Sequence, residues 1–325
     1  MQIKKAVITA AGRGVRMYPV ASTVQKAMLP IEDRDGLPKP VIQIIGEEAL
    51  ESGIEEVCVV CAPGDEEQYV TQFRAQRDNL VEAYGGVDWA LRQAERVDNL
   101  LRRLHFAVQP EPLGYGHAVF CARDFAGREP FLLLLGDHLY VSRRAGKRCA
   151  QELIELASRE SCAVAAVQAT REHLVGRYGT LSGKRMAHRS GVYQIERIVE
   201  KPSLSLAELE LQTPGLRAGY YLCFFGMHVL PPTIFEILER HIGAGHDTAG
   251  GVPLTPALQE LAERERYLAL EVQGSRYDIG VKLGWLRAQI ALGMHGLQRE
   301  QLLSILVELL AEASHRESPS GGQPQ

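Results

Sequence analysis

The residues best suited to phosphate chemistry sit near the amino terminus, in Ala10-Ala11-Gly12-Arg13-Gly14-Val15-Arg16. Two glycines one residue apart open a turn with no Cβ in the way, so a ligand can lie directly on the backbone. Arg13 and Arg16 flank that turn with guanidinium groups suited to phosphate oxygens. The stretch before it, Ala6 to Thr9, is apolar and β-branched without alternation, as in a strand covered on both faces. A strand running into a glycine-rich basic turn is what a triphosphate site needs, although Gly-x-Gly also occurs in turns that bind nothing. Two familiar phosphate loops are excluded by spacing. A Walker A loop needs Lys-Ser/Thr after its second glycine, and the dinucleotide fingerprint needs a third glycine where Met17 stands.

Four further places carry groups that could do chemistry. Gln109 ends the apolar run His105–Val108 and offers an amide with both hydrogen-bonding polarities, which suits a uracil edge. Gly114 and Gly116 then let the chain approach a flat ligand, or serve an ordinary strand-to-helix loop. Asp137 follows Phe131–Leu135 and Gly136; an acid at the carboxyl end of a buried strand is a metal-ligand candidate, or a cap for the next turn. His138 beside it reads as a hydrogen-bonding neighbour or a second ligand. Asp278 is a second acid close behind a strand, Tyr267–Val272. Glu200 and Lys201 are adjacent, so in an extended chain they point to opposite faces, and only a bend, which Pro202 favours, brings them together.

The elements that must position these groups follow from the pattern of the chain. Its 325 residues are 46% hydrophobic and 23% charged, enough for a core that folds without staples. A net charge of -4 gives no global basic field to recruit nucleic acid, so phosphate binding must be local. Cys58 and Cys61 have the C-x-x-C spacing but lie in a strand-like run, which predicts buried structural thiols. The chain shows no signal peptide and no apolar run long enough to span a bilayer, so a reducing cytoplasmic setting is expected. Strand, helix and strand over residues 6–61 predict a right-handed parallel crossover. Helical excursions are expected over 66–104, with a break at Gly85-Gly86. Residues 32–40 read as a turn-rich loop, and Tyr220–Phe225 as a strand closed by Gly226. The expectation is one α/β unit over residues 1–295, an amphipathic helix over 296–313 that could cover the core or mediate homo-oligomers, and a disordered tail over 314–325.

The segment Ala10–Ile31, with Gln25-Lys26-Ala27-Met28-Leu29-Pro30-Ile31, resembles the signature of sugar-phosphate nucleotidyltransferases. That signature runs roughly A-G-x-G-T-R-x-x-P, a spacer, then P-K-x-x-L-P-I. Blocks at 41–60, 109–119, 136–137, 178–179, 200–202 and 276–284 follow in order, and together they are similar to the bacterial UTP–glucose-1-phosphate uridylyltransferase branch. The resemblance implies a single Rossmann-like domain built on an open, mostly parallel mixed sheet with helices on both faces. It places Ala11, Gly12, Gly14 and Arg16 in the triphosphate loop, Lys26 on the phosphates, and Gln109 with Gly114 on the uracil. It assigns Asp137 and Asp278 to Mg²⁺, Glu200 and Gly179 to the sugar, and Lys201 to the sugar's phosphate.

The implied reaction joins UTP and a sugar 1-phosphate. Arg16, Lys26, Asp137 and Lys201 would be catalytic, working by position and charge without a protein nucleophile. Five positions depart from the family pattern: Val15, Gln25, Ala27, His138 and Val281. They bear on sugar and nucleotide preference, and leave two other readings standing: a non-catalytic sugar-nucleotide-binding regulator, or a relative using another sugar 1-phosphate or dTTP.

Overall fold

Thirteen strands and eleven helices follow one another in the computed structural model, which describes residues 1–14, 17–19, 23–187, 189–244 and 251–316. The strands are β1 (Lys5–Thr9), β2 (Pro30–Glu32), β3 (Pro38–Pro40), β4 (Glu56–Cys61), β5 (Leu104–Val108), β6 (Phe131–Leu135) and β7 (His138–Ser142). After them come β8 (Ala163–Arg171), β9 (Gly179–Arg185), β10 (Val192–Glu200), β11 (Tyr220–Leu230), β12 (Tyr267–Glu271) and β13 (Gly274–Asp278). The helices are α1 (Val41–Leu50), α2 (Asp65–Tyr84), α3 (Asp88–Arg103), α4 (Tyr115–Phe120), α5 (Arg123–Ala126) and α6 (Cys149–Glu160). The remainder are α7 (Leu204–Glu210), α8 (Thr233–Gly243), α9 (Thr255–Arg264), α10 (Gly284–Met294) and α11 (Arg299–Arg316). Among the described residues no helix is long and apolar enough to cross a membrane.

In the amino-terminal half β5, β4, β1 and β6 pair in parallel in that order. The unbroken apolar run of β1 has its reason here. Ala6 and Ile8 face a core shared with α1, α3 and α6, while Val7 faces a second core shared with α4, α8 and α9. Helices on both faces leave neither side of these strands for water, so alternation vanishes.

The rest of the sheet corrects the expectation of an open, mostly parallel arrangement. Four strand pairings are parallel and five antiparallel, and β11 pairs with β9 as well as β8. Strands β11, β8, β12, β10 and β9 therefore close into a five-membered ring, while the β5 end stays open. The strand expected to stop at Gly226 runs through it to Leu230. Residues 220–224 pair inside the ring and Met227–Leu230 pair with β6, with the register shifting between Phe224 and His228. Gly226 lies in that shift at φ +90, and a Cβ there would meet Leu135 Cδ1 at 2.9 Å. Glycine thus lets one strand serve both halves of the sheet.

Two small ribbons frame the carboxyl ends of the central strands. The presumed loop at 32–40 holds the hairpin β2–β3, pinned to α1 by the fully buried Lys39, whose ammonium meets Asp33 at 2.8 Å, Asp35 at 2.7 Å and Glu47 at 3.1 Å. Burial alone would lower the Lys39 pKa, but the charges of Asp33 and Glu47 outweigh it and raise it. The second ribbon pairs β7 with β13 antiparallel, setting Asp278 opposite His138. Cys58 and Cys61 are buried thiols, each pushed up to about 12, chiefly by burial. The final helix runs to Arg316, and the expected tail beyond it lies outside the described residues.

Candidate functional site

β1 and β6 are adjacent and parallel, so Thr9 and Leu135 end side by side, and the chain leaves both at the same sheet edge. A cleft of 280 Å³ opens there, lined by Ala11, Gly12, Lys26, Gln109, Gly114 and Asp137, among others. This is where ligands bind in sheets of this kind. Gly14, at φ +59, occupies left-handed backbone, as a tight turn after β1 requires. Arg16, expected in the same loop, lies outside the described residues, as does Val15.

Charge is concentrated at the floor. The Asp137 carboxylate takes an ion-paired hydrogen bond from Lys26 Nζ on one oxygen and lies 2.8 Å from His138 Nδ1 on the other. Burial alone would raise the Asp137 pKa; the hydrogen bond and charge of His138, with the charge of Lys26, reverse that and hold it well below the usual carboxylate range. Asp278 arrives from β13, and its Oδ1 accepts the Gly280 N–H at 2.8 Å. The ligand atoms of Asp137, His138 and Asp278 all fall within 4.8 Å of one another, close enough to share a metal ion. The two acids expected to converge do so.

The loop that follows β5 is tighter than its sequence suggests. Gln109 is buried, and its amide nitrogen donates to Gly114 O at 3.1 Å while lying 3.1 Å from His117 Nδ1. Both amide hydrogens are thus engaged within the loop, and the amide oxygen is what remains for a ligand. Gly116 does not give way to a flat ligand. A Cβ there would meet the carbonyls of Val252 and Pro253 at 2.9 Å, and the Gly116 N–H donates to Val252 O at 2.8 Å. Its small size docks α4 against residues 252–253.

The remaining predicted residues form a second group. Gly179 and Glu200 face each other across β9 and β10, and Lys201, at φ +44, bends the chain just after β10. The bend brings Lys201 Nζ to 3.4 Å from Glu200 Oε1, so the adjacent side chains do come together. Thr255, at the start of α9, donates its hydroxyl to Glu200 Oε2 at 2.7 Å. Tyr115 stands between the groups: burial raises its pKa first, and the charges of Asp137 and Glu200 raise it further. Thr255 and Gly280 were missed in the sequence. A Cβ on Gly280 would lie 2.8 Å from Lys26 Nζ and 3.0 Å from Asp137 Oδ2, and the only signal was a glycine two residues after the second acid.

Comparison with known proteins points the same way. The family model described as nucleotidyl transferase matches residues 5–282. A UTP–glucose-1-phosphate uridylyltransferase of Bacillus subtilis strain 168 is 35% identical over 313 residues, covering 95% of this chain and 98% of that protein. A UDP-glucose pyrophosphorylase solved with UDP-glucose superposes with a TM-score of 0.69 at 29% identity, covering 89% of this chain and 98% of that one. A UTP-bound UGPase from Acinetobacter baumannii gives a TM-score of 0.75 at 27% identity, covering 95% of this chain and 100% of its own. With the match running from β1 through Asp278, across every group just described, the chain belongs to the nucleotidyl transferase family.

Proposed function

We propose that this protein is an enzyme that transfers the uridylyl group of UTP to glucose 1-phosphate, giving UDP-glucose and pyrophosphate. The observation that carries this reading is a cleft lined by the glycine turn, Lys26 and Asp137, with the Asp278 carboxylate brought close enough to Asp137 to share a cation. The likeness to uridylyltransferases along nearly the whole chain supports it. A phosphate oxygen of the sugar 1-phosphate attacks the α-phosphorus in line, forming one P–O bond as the bond to pyrophosphate breaks. A phosphate monoester is already ionised near neutral pH, so no protein base or nucleophile is required.

The chain's own residues then position two anions and offset their repulsion. Ala11, Gly12 and Gly14 present backbone to the triphosphate. Lys26 keeps one hydrogen on Asp137 and offers its others to phosphate oxygens, joined by Arg16. Asp137 and Asp278 suit Mg²⁺, which prefers oxygen donors and usually takes one or two carboxylates with substrate phosphates. When bound, the ion supplies positive charge to those phosphate oxygens. His138 stays as the partner that orients Asp137.

Gln109 accepts through its amide oxygen from uracil N3–H; adenine has an acceptor at its ring nitrogen and a donor only on its exocyclic amine, so it cannot meet that oxygen in the same position. Thymine presents the same N–H, so Gln109 separates pyrimidine diones from adenine, and uridine over thymidine preference must come from the space beside Gly114. Glu200, held by Thr255, takes the sugar hydroxyls beside Gly179, and Lys201 takes the sugar's phosphate.

The same reading takes residues 1–295 as the nucleotidyltransferase domain, 296–313 as an added helix and 314–325 as a tail, in a cytoplasmic protein whose six cysteines remain thiols. Self-association through α11 would cover its exposed Ile305, Val307 and Leu309. Mixing the protein with UTP, Mg²⁺ and glucose 1-phosphate tests the reaction by release of pyrophosphate, alongside dTTP, ATP and other sugar 1-phosphates. UTP with glucose 1-phosphate is expected to be the fastest pair. Absence of pyrophosphate with UTP and every sugar would refute enzymatic function.

A further inference from the structure

A second concavity, of 330 Å³, has Asp278 in its wall but none of Gly12, Lys26, Gln109, Glu200 or Lys201. Four guanidinium groups line it, each from a different element: Arg171 at the end of β8, Arg177 in the 3-10 turn Glu172–Arg177, Arg276 on β13 and Arg287 on α10. Among the described residues Asp278 is the only carboxylate in the lining, and one of its oxygens is already engaged by the Gly280 N–H. The cleft therefore holds a clear excess of positive charge, in a chain whose net charge is -4.

The four cations are not equally committed. The Arg276 guanidinium carbon lies 3.8 Å from the Tyr178 ring centroid, a cation–π contact that holds the group against the ring. Arg171 Nε donates to the Tyr220 hydroxyl at 3.1 Å, which leaves its terminal nitrogens available. Among the described residues neither Arg177 nor Arg287 has an ion-pair partner. Thr170, Ser275 and Tyr220 add neutral hydroxyls to the same wall. Guanidinium groups contributed by four elements to one small concavity suit a tetrahedral oxyanion, which can accept two parallel bonds from a fork.

We propose that this cleft is a second anion site that binds a small phosphate-bearing ligand, separate from the cleft at the end of β1. The proposal does not rest on the uridylyl-transfer reading. The ligand is either inorganic phosphate or the phosphate of a metabolite ester, and the two are separated by affinity. Calorimetric titration of the full chain with inorganic phosphate, in the absence of metal, is compared for the wild type, the double variant Arg177→Gln/Arg287→Gln and Lys201→Ala. The same titrations are repeated with fructose 1,6-bisphosphate as the ester probe. Saturable binding is expected to weaken about tenfold or more in the double variant and to stay unchanged in Lys201→Ala. Tighter binding of the bisphosphate with the same dependence on Arg177 and Arg287 assigns the site to an ester; equal or weaker binding assigns it to inorganic phosphate. Thermal melting of the double variant, matching the wild type, shows that both exposed substitutions leave the fold intact. No saturable binding of either probe, binding untouched in the double variant, or binding lost in Lys201→Ala would overturn the proposal.

Discussion

At the Asp137 end of the cleft, the Lys26 and Asp137 side chains are 14% and 19% exposed and hold each other in place. At the Glu200–Lys201 edge the corresponding side chains are 44% and 61% exposed, and their contact is 3.4 Å. In the first group Asp137 stands just past the end of β6 and Lys26 reaches it from the 3-10 turn Lys26–Met28, where water is scarce and each charge already has a partner. The second stands on a bend that costs backbone strain, because a non-glycine residue at φ +44 is disfavoured. Fixed charges in a low-dielectric floor are preorganised for charge that develops during reaction. Exposed ion pairs contribute little until a ligand orders them. The floor should therefore govern turnover, and the edge should govern capture of the sugar phosphate.

The largest effect is expected at the floor. Asp137→Asn should lower kcat on the order of 10²–10³-fold while leaving KM for the sugar 1-phosphate nearly unchanged, as read from steady-state pyrophosphate release. A drop confined to KM would erase the distinction between the two regions. At the edge, Lys201→Ala should raise KM for sugar 1-phosphate roughly 10–100-fold, the loss of one charge-assisted hydrogen bond. KM for UTP should not move; an equal rise for UTP would place Lys201 in the nucleotide site.

Between the regions, Gln109→Ala should cost about tenfold in kcat/KM for UTP and narrow the preference over ATP, while the ratio of UTP to dTTP stays constant. A collapse of that ratio would return base discrimination to Gln109 itself. The smallest effect concerns strain. Lys201→Gly should be more stable than Lys201→Ala by about 1 kcal/mol in denaturant melts, because glycine accepts positive φ without steric penalty. Equal stability would mean that the bend is not held under strain.

Much of the floor was legible in the sequence, because a short apolar run such as Phe131–Leu135, bounded by Pro130 and Gly136, reads as a strand buried on both faces, and an acid just past one has few places to go. The bend at Lys201 was signalled by Pro202. Other features depend on contacts between distant segments. Gly226 reads locally as a strand end, yet it is the point where β11 passes from the ring to β6, so closure of the sheet was hidden. Gly116 reads as a ligand-facing glycine, but its neighbour is the backbone at 252–253, more than a hundred residues away. The engagement of both Gln109 amide hydrogens follows from a loop geometry that residue types alone do not determine.

The most direct test of the two-carboxylate floor is kcat across a Mg²⁺ titration for the wild type, Asp137→Asn, Asp278→Asn and the double variant. On the proposed reading both carboxylates serve one ion, so each single variant should lose most of the turnover and require more Mg²⁺. The double variant should then lose far less than the product of the single losses. Near-normal turnover and metal dependence in Asp278→Asn, or losses that simply multiply, would contradict a shared site.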